Sequence, residues 1–164
     1  MGDASETVPT PVGGQPAKAK VFISYSRKDT VFANRLEAAL KVRAFEVLID
    51  RQEISALEEW RKRIETLITK ADTLVFILSP DSVDSAFAEK EVMFAASLNK
   101  RLAPIVFRHV DGKPVPEALA KLNFIFFDDE ARFESSADTL AQALRIDIAW
   151  IRLHSRSNSS PFNP

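Results

Sequence analysis

The sequence predicts a three-layer α/β domain: a parallel sheet of five strands with helices on both faces. Two observations carry that prediction. Five short β-prone apolar runs alternate with five segments whose apolar residues recur at helical spacing, all within residues 20–152. The middle run, Thr73-Leu74-Val75-Phe76-Ile77-Leu78, is apolar throughout, as a central strand covered on both sides requires.

The elements follow in order. Residues 1–19 are rich in Pro, Gly, Ala and Thr, lack hydrophobic periodicity and read as a disordered leader. Val21-Phe22-Ile23-Ser24-Tyr25 is the first strand, ended by the polar Ser26-Arg27-Lys28-Asp29. Asp29 is expected to cap a helix whose buried face is Phe32, Ala33, Leu36, Ala39 and Leu40. Phe45–Ile49 is the second strand, followed by a polar loop from Asp50 to about Leu57. A helix over Glu58–Lys70 places Trp60, Ile64, Leu67 and Ile68 on one face. After the central strand, Ser79-Pro80-Asp81-Ser82 breaks the run, and Ser85–Leu98 reads as a helix, which its lack of Gly and Pro allows. Leu102–Phe107 is the fourth strand. The turn Asp111-Gly112-Lys113-Pro114, a short helix around Pro116–Lys121 and a fifth strand, Phe124–Phe127, come next. Asp128-Asp129-Glu130 reads as a solvated loop and helix entry, and the closing helix spans about Ser135–Ile151. Residues 153–164, dominated by Ser, Asn and Pro, read as a disordered tail or as the place where a longer chain was cut short.

Composition narrows the chemistry. A formal net charge of −1 gives no electrostatic reason to expect nucleic acid or a membrane surface as partner. Without cysteine there is no disulfide framework and no thiolate nucleophile, and two isolated histidines argue against a metal site. The amino terminus is acidic and polar, unlike a secretory signal. Glu6 stands where a myristoylation signal needs Ser or Thr, and no apolar run is long enough to span a bilayer. A soluble, cytoplasmic protein is the expectation.

Ligands of open α/β sheets bind at the carboxyl ends of the strands. Gly112 is the single glycine within residues 20–152, so neither a Rossmann dinucleotide loop nor a P-loop is present. Phospho-receiver domains share the alternating pattern. They need further acids after the first strand, where this chain has Ser24-Tyr25-Ser26-Arg27, and Asp50 ends the second strand rather than the third. One acid stands out. On the Ser85–Leu98 helix, Phe87, Phe94, Ala95 and Leu98 form an apolar stripe and Glu91 falls inside it. A carboxylate among apolar side chains is either paired, here with a basic neighbour such as Arg101 or Lys90, or used.

Several of these segments, in this order, resemble a Toll/interleukin-1 receptor (TIR) domain of bacterial type. Val21–Asp29 resembles the family's opening strand and loop, and Leu48 through Asp50 to Trp60 resembles its second strand, BB loop and following helix. Leu78–Ser85 is similar to its third strand and turn. Phe87, three residues, then Glu91 resembles its aromatic-x-x-x-Glu signature, and Phe124–Asp129 also resembles bacterial members. The resemblance covers residues 20–152. It implies a flavodoxin-like fold that self-associates and, in many members, cleaves NAD⁺ at the nicotinamide–ribose bond. NAD⁺ would be a substrate rather than a cofactor, and the other partners would be TIR domains, including copies of this chain. Glu91 would be the catalytic carboxylate. Phe87 would pack on the nicotinamide or ribose, Arg27 would meet the diphosphate, and Tyr25 with the loop from Asp50 would complete the rim. Two positions depart from the pattern: many catalytic members carry Trp where Phe87 stands, and the loop Gln52–Leu57 lacks glycine. The implied alternative is a non-catalytic adaptor that binds other TIR domains in signal transduction. Adaptors commonly lack an acid at the position of Glu91.

Overall fold

Each β-prone run read from the sequence forms a strand of one parallel sheet. A computed structural model describes residues 18–51, 57–84, 88–110 and 112–157, with the backbone alone at 57, 88 and 147–157. Within these, β1 is Lys20–Ser24, β2 Glu46–Ile49, β3 Thr73–Leu78, β4 Arg101–Val106 and β5 Ile125–Phe126. The spatial order is β2-β1-β3-β4-β5 and every pairing is parallel. This is the flavodoxin-like order, which reverses direction between β1 and β3.

The helices are α1 (Thr30–Val42), α2 (Leu57–Lys70), α3 (Pro80–Val83), α4 (Ala88–Ser97), α5 (Glu117–Ala120) and α6 (Phe133–Ser157). One more helix forms than the sequence reading expects, because Ser79–Ser82 is a helical turn rather than a plain break. Ser79 Oγ accepts from the Ser82 N–H at 3.2 Å and Ser82 Oγ accepts from the Ser79 N–H at 3.0 Å, a capping box that makes Pro80 an ordinary first helical residue. The closing helix runs beyond the expected Ile151 to Ser157, since no Gly or Pro interrupts it before Pro161. Helix α4 stops at Ser97, and Asn99 adopts the left-handed conformation (φ 58°) that ends helices. Leu98 therefore lies outside the helix and is 39% exposed, not part of a buried stripe; Val92 and Ala95 fill that role. Phe87 lies outside the described residues.

Strand periodicity divides the core in two. Val21, Ile23, Val75, Ile77 and Ile105 face α1 and α6. Phe22, Leu74, Phe76, Leu78 and Val106 face α2, α4 and α5, meeting Trp60, Ile64, Ile68, Val92, Ala95 and Leu119. Every residue of β3 is buried, as its unbroken apolar run predicts. Among the described residues no helix is long and apolar enough to cross a membrane.

The loops at the carboxyl ends of the strands are tied by one carboxylate. Asp29 occupies the position before α1 but makes no capping hydrogen bond with its side chain. Its carboxylate, 3% exposed with the rest of the residue, instead accepts from Ser79 Oγ at 2.5 Å and from the Arg108 guanidinium at 2.7 Å. Arg108 also donates to Asp81 at 3.0 Å, so the segments following β1, β3 and β4 share one polar knot. Asp29→Ala leaves the buried Ser79 hydroxyl without its acceptor and Arg108 with Asp81 alone. It is expected to lower unfolding free energy by about 1–3 kcal/mol. Urea denaturation measures this, and an unchanged midpoint would show that the knot contributes nothing.

Candidate active site

Two residues beyond Phe22 on the same face of β1, the strand ends in Ser24. It therefore points into the layer of α2 and α4, where an apolar core gives way to polar groups. Glu91, in the first turn of α4, meets it there: Ser24 Oγ donates to Glu91 Oε1 at 2.5 Å. Among the described residues Glu91 forms no ion pair with Lys90 or Arg101. Its partner is a neutral hydroxyl. Burial pushes its carboxyl up to about 7, the nearby Asp50 charge adds to the rise, and the Ser24 hydrogen bond and the Arg27 charge oppose it.

Beside this pair stands a second constellation. Arg27 donates to Tyr25 Oη at 2.9 Å and to the Asp50 carbonyl at 2.8 Å, and its other terminal nitrogen lies 3.3 Å from the Asp50 carboxylate. Tyr25 Oη donates to the same carbonyl at 3.1 Å. From α2, Arg63 approaches Asp50 with Nε at 3.0 Å and a terminal nitrogen at 3.4 Å, a forked pairing on a carboxylate only 7% exposed. Two guanidinium groups thus hold one buried acid, and Arg27 keeps 44% of its side chain exposed.

Two cavities of about 330 and 280 Å³ meet at Glu91. The larger lies between α2 and α4, with Trp60, Ile64, Met93 and Phe94 as its apolar walls. The smaller opens at the carboxyl ends of β1 and β2, beside Ser24, Tyr25, Arg27 and Asp50. Trp60 and Ile64 line both, so Trp60 serves the core and the cavity wall together. The site sits next to the point where strand order reverses, the usual ligand position in such sheets.

Four of the five residues singled out from the sequence, Tyr25, Arg27, Asp50 and Glu91, therefore converge, while Phe87 lies outside the described residues. Sequence reasoning missed Ser24 and Arg63. Each left a signal: Ser24 is the polar end of an otherwise apolar strand, and Arg63 falls three residues after Trp60 on the face leading to Ile64 and Leu67.

The TIR domain family model matches residues 21–144. The chain belongs to the TIR domain family. No curated protein matches the sequence. Among solved structures this TIR domain is similar to that of a Toll-related receptor from Hydra magnipapillata, at 18% identity and a TM-score of 0.63, covering 76% of this chain and 97% of that one. It is also similar to a CMP N-glycosidase from Clostridium botulinum, at 14% identity and a TM-score of 0.54, covering 73% and 98%. A 2-desoxiribosyltransferase from Leishmania mexicana matches at 18% identity and a TM-score of 0.51, covering 73% and 97%. These likenesses are of fold.

The buried carboxyl of this TIR domain makes stability depend on pH. Its midpoint lies near 7 in the folded chain against an ordinary 4.5, so between those values the folded state binds a proton that the unfolded state has lost. Stability conferred at low pH is therefore lost as pH rises through this window and is level above it. Glu91→Gln should remove the dependence, and the gap between variant and wild type should open from pH 4.5 to 7 by up to roughly 3 kcal/mol. Denaturant unfolding across that range measures it, and a constant gap would sink the burial argument.

Proposed function

We propose that this TIR domain cleaves the nicotinamide–ribose bond of NAD⁺, with Glu91 as the carboxylate at the reacting ribose. The observation that carries the reading is the place of Glu91. It is a largely enclosed acid held by a neutral donor, at the carboxyl end of the sheet, with an apolar cavity on one side and Arg27 on the other. The name of one fold neighbour, a CMP N-glycosidase, denotes cleavage at an N-glycosidic bond and supports it.

The chemistry asks for little more than such a carboxylate. As the C–N bond breaks, its electron pair moves onto the nicotinamide nitrogen and neutralises the pyridinium, so no acid need protonate the leaving group. Positive charge develops on the ribose ring, and an ionised Glu91 in an apolar setting stabilises it more strongly than it would in water. Water then adds to the anomeric carbon and releases one proton, which a carboxylate poised near neutrality can accept. Ordinary glycosidases need two carboxylic acids because their leaving groups are poor. Trp60 and Phe94 offer apolar walls for a base, while Arg27 and Lys28 stand on the side suited to the diphosphate.

The same reading takes the chain as a cytoplasmic, bacterial-type member with its domain at residues 20–152, acting in signalling or defence when copies associate. Met93, 61% exposed on the open side of the larger cavity, offers apolar surface to a second copy that would complete the site. A non-catalytic adaptor binding other TIR domains is the competing reading.

Wild-type protein should release nicotinamide from NAD⁺, read by chromatography. Glu91→Gln, once shown to be folded, should release it at least about a hundredfold more slowly. Equal release by both would assign the activity elsewhere, and silence from both, even when clustered on beads, would leave the adaptor reading. If copies complete one another's sites, specific activity should also climb with protein concentration. A flat response would count against a shared site.

A further inference from the structure

The contact between Ser24 and Glu91 joins the last residue of β1 to the first turn of α4, across 67 positions of sequence. It has the Ser24 hydroxyl donating to a carboxylate oxygen at 2.5 Å. It occupies one carboxylate oxygen only. Among the described residues Oε2 accepts no hydrogen bond, and Thr73 Oγ1 is the sole buried polar side-chain atom left without a partner. Oε2 is therefore open to the cavities that Glu91 lines. Ser24 is itself buried, and its strand position is fixed by pairing with Phe76 of β3, so the donor cannot follow a wandering carboxylate.

We propose that Ser24 is the positioning residue of the site: its hydroxyl pins Oε1 of Glu91 and thereby presents Oε2 to the bound ligand. The inference rests on the NAD⁺ reading for the identity of that ligand, the ribose, but not for the pinning itself. Around Glu91 the charged groups are Arg27 and Lys28 after β1, Asp50 after β2, Arg61 and Glu65 on α2, and Glu89 and Lys90 on α4 itself. Of these, Asp50 opposes ionisation of Glu91 and Arg27 favours it by charge alone. Ser24 is the group that donates to the carboxylate, so it favours the anion and sets its orientation together. A cation in its place would neutralise the carboxylate that is to face a cationic transition state. A neutral donor leaves the negative charge intact.

The test is the titration of Glu91, followed by carbon-13 NMR of glutamate side-chain carboxyls in the full chain. The Glu91 signal is assigned by its loss in Glu91→Gln. Ser24→Ala should move its midpoint upward by about one pH unit, and Ser24→Thr, which keeps the hydroxyl, should stay close to wild type. Ser24→Cys, near serine in size but a weak donor, should shift in the same direction as Ser24→Ala and serves if the alanine variant does not fold. In the nicotinamide-release assay the acid limb should move with the midpoint, with kcat reduced and KM for NAD⁺ within about twofold of wild type. An unmoved midpoint in a folded donor-free variant overturns the proposal, as does a threonine variant displaced as far as alanine. A moved midpoint in a protein whose wild type releases no nicotinamide upholds the hold of Ser24 on Glu91 and defeats the NAD⁺ reading alone.

Discussion

The site at the carboxyl edge of the sheet depends on the Asp29 carboxylate, which holds the segments after β1, β3 and β4 in one arrangement. Loops in many α/β proteins reach a ligand through glycine-rich backbone, with amide groups as the donors. Here the loop following β1 is Tyr25-Ser26-Arg27-Lys28, without glycine, so its conformation must be imposed by side chains. Asp29 does so by accepting from Ser79 and Arg108 instead of capping its own helix. The start of α1 is instead served by Ser26, whose hydroxyl accepts from the Lys28 N–H at 3.2 Å at the head of a 3-10 turn over Arg27–Asp29. The Asp29 contacts fix the stretch that carries Tyr25 and Arg27.

Within that frame, the site follows from strand parity. A strand presents successive residues to opposite layers, so the face that carries Phe22 into the α2–α4 core also carries Ser24 to its edge. A slip of one residue would turn Tyr25 toward α4 and Ser24 toward α1. Glu91 would then sit beside a phenol and against the wrong backbone. The carboxylate's position is likewise fixed by its own helix: Val92 and Ala95 are buried next to it, and the helix cannot rotate Glu91 outward without exposing both. Glu91 is thus held in apolar surroundings by its neighbours' burial, not by any preference of its own.

This explains what was legible in the sequence and what was not. The alternation of runs announced the sheet and its layers, because burial on one or both faces leaves a period in the residues. Glu91 was legible for the same reason, as an acid out of phase with its helix. The single-turn helix at Pro80 was not, since four residues carry no period and its cap depends on two serine side chains folding back on each other's backbone. The role of Asp29 was hidden too: a local cap and a long-range partner for Arg108 look identical in sequence, and 79 residues separate the pair. Ser24 and Arg63 were visible as residues. Their partners were not, because each reaches a group on a different element.

Asp50 and Glu91 show how environment divides the labour between two neighbouring carboxylates. Asp50 is gripped by the Arg63 fork and by Arg27, with opposite charge supplied at hydrogen-bond distance. Glu91 receives only a hydroxyl, and its burial favours the proton. Pairs of acids whose surroundings diverge in this way are where one becomes structural and the other reactive. On the proposed reading, Asp50 acts through Arg27: it anchors the guanidinium at the rim, leaving part of it exposed to an anionic group. A neutral residue at 50 would leave Arg27 its bonds to the residue-50 carbonyl and to Tyr25 Oη, and would remove the negative charge that helps raise Glu91. A neutral residue at 91 would keep the hydrogen bonds among Asp50, Arg27 and Arg63, so on the proposed reading the binding group and the reacting carboxylate are different side chains that still feel one another's charge.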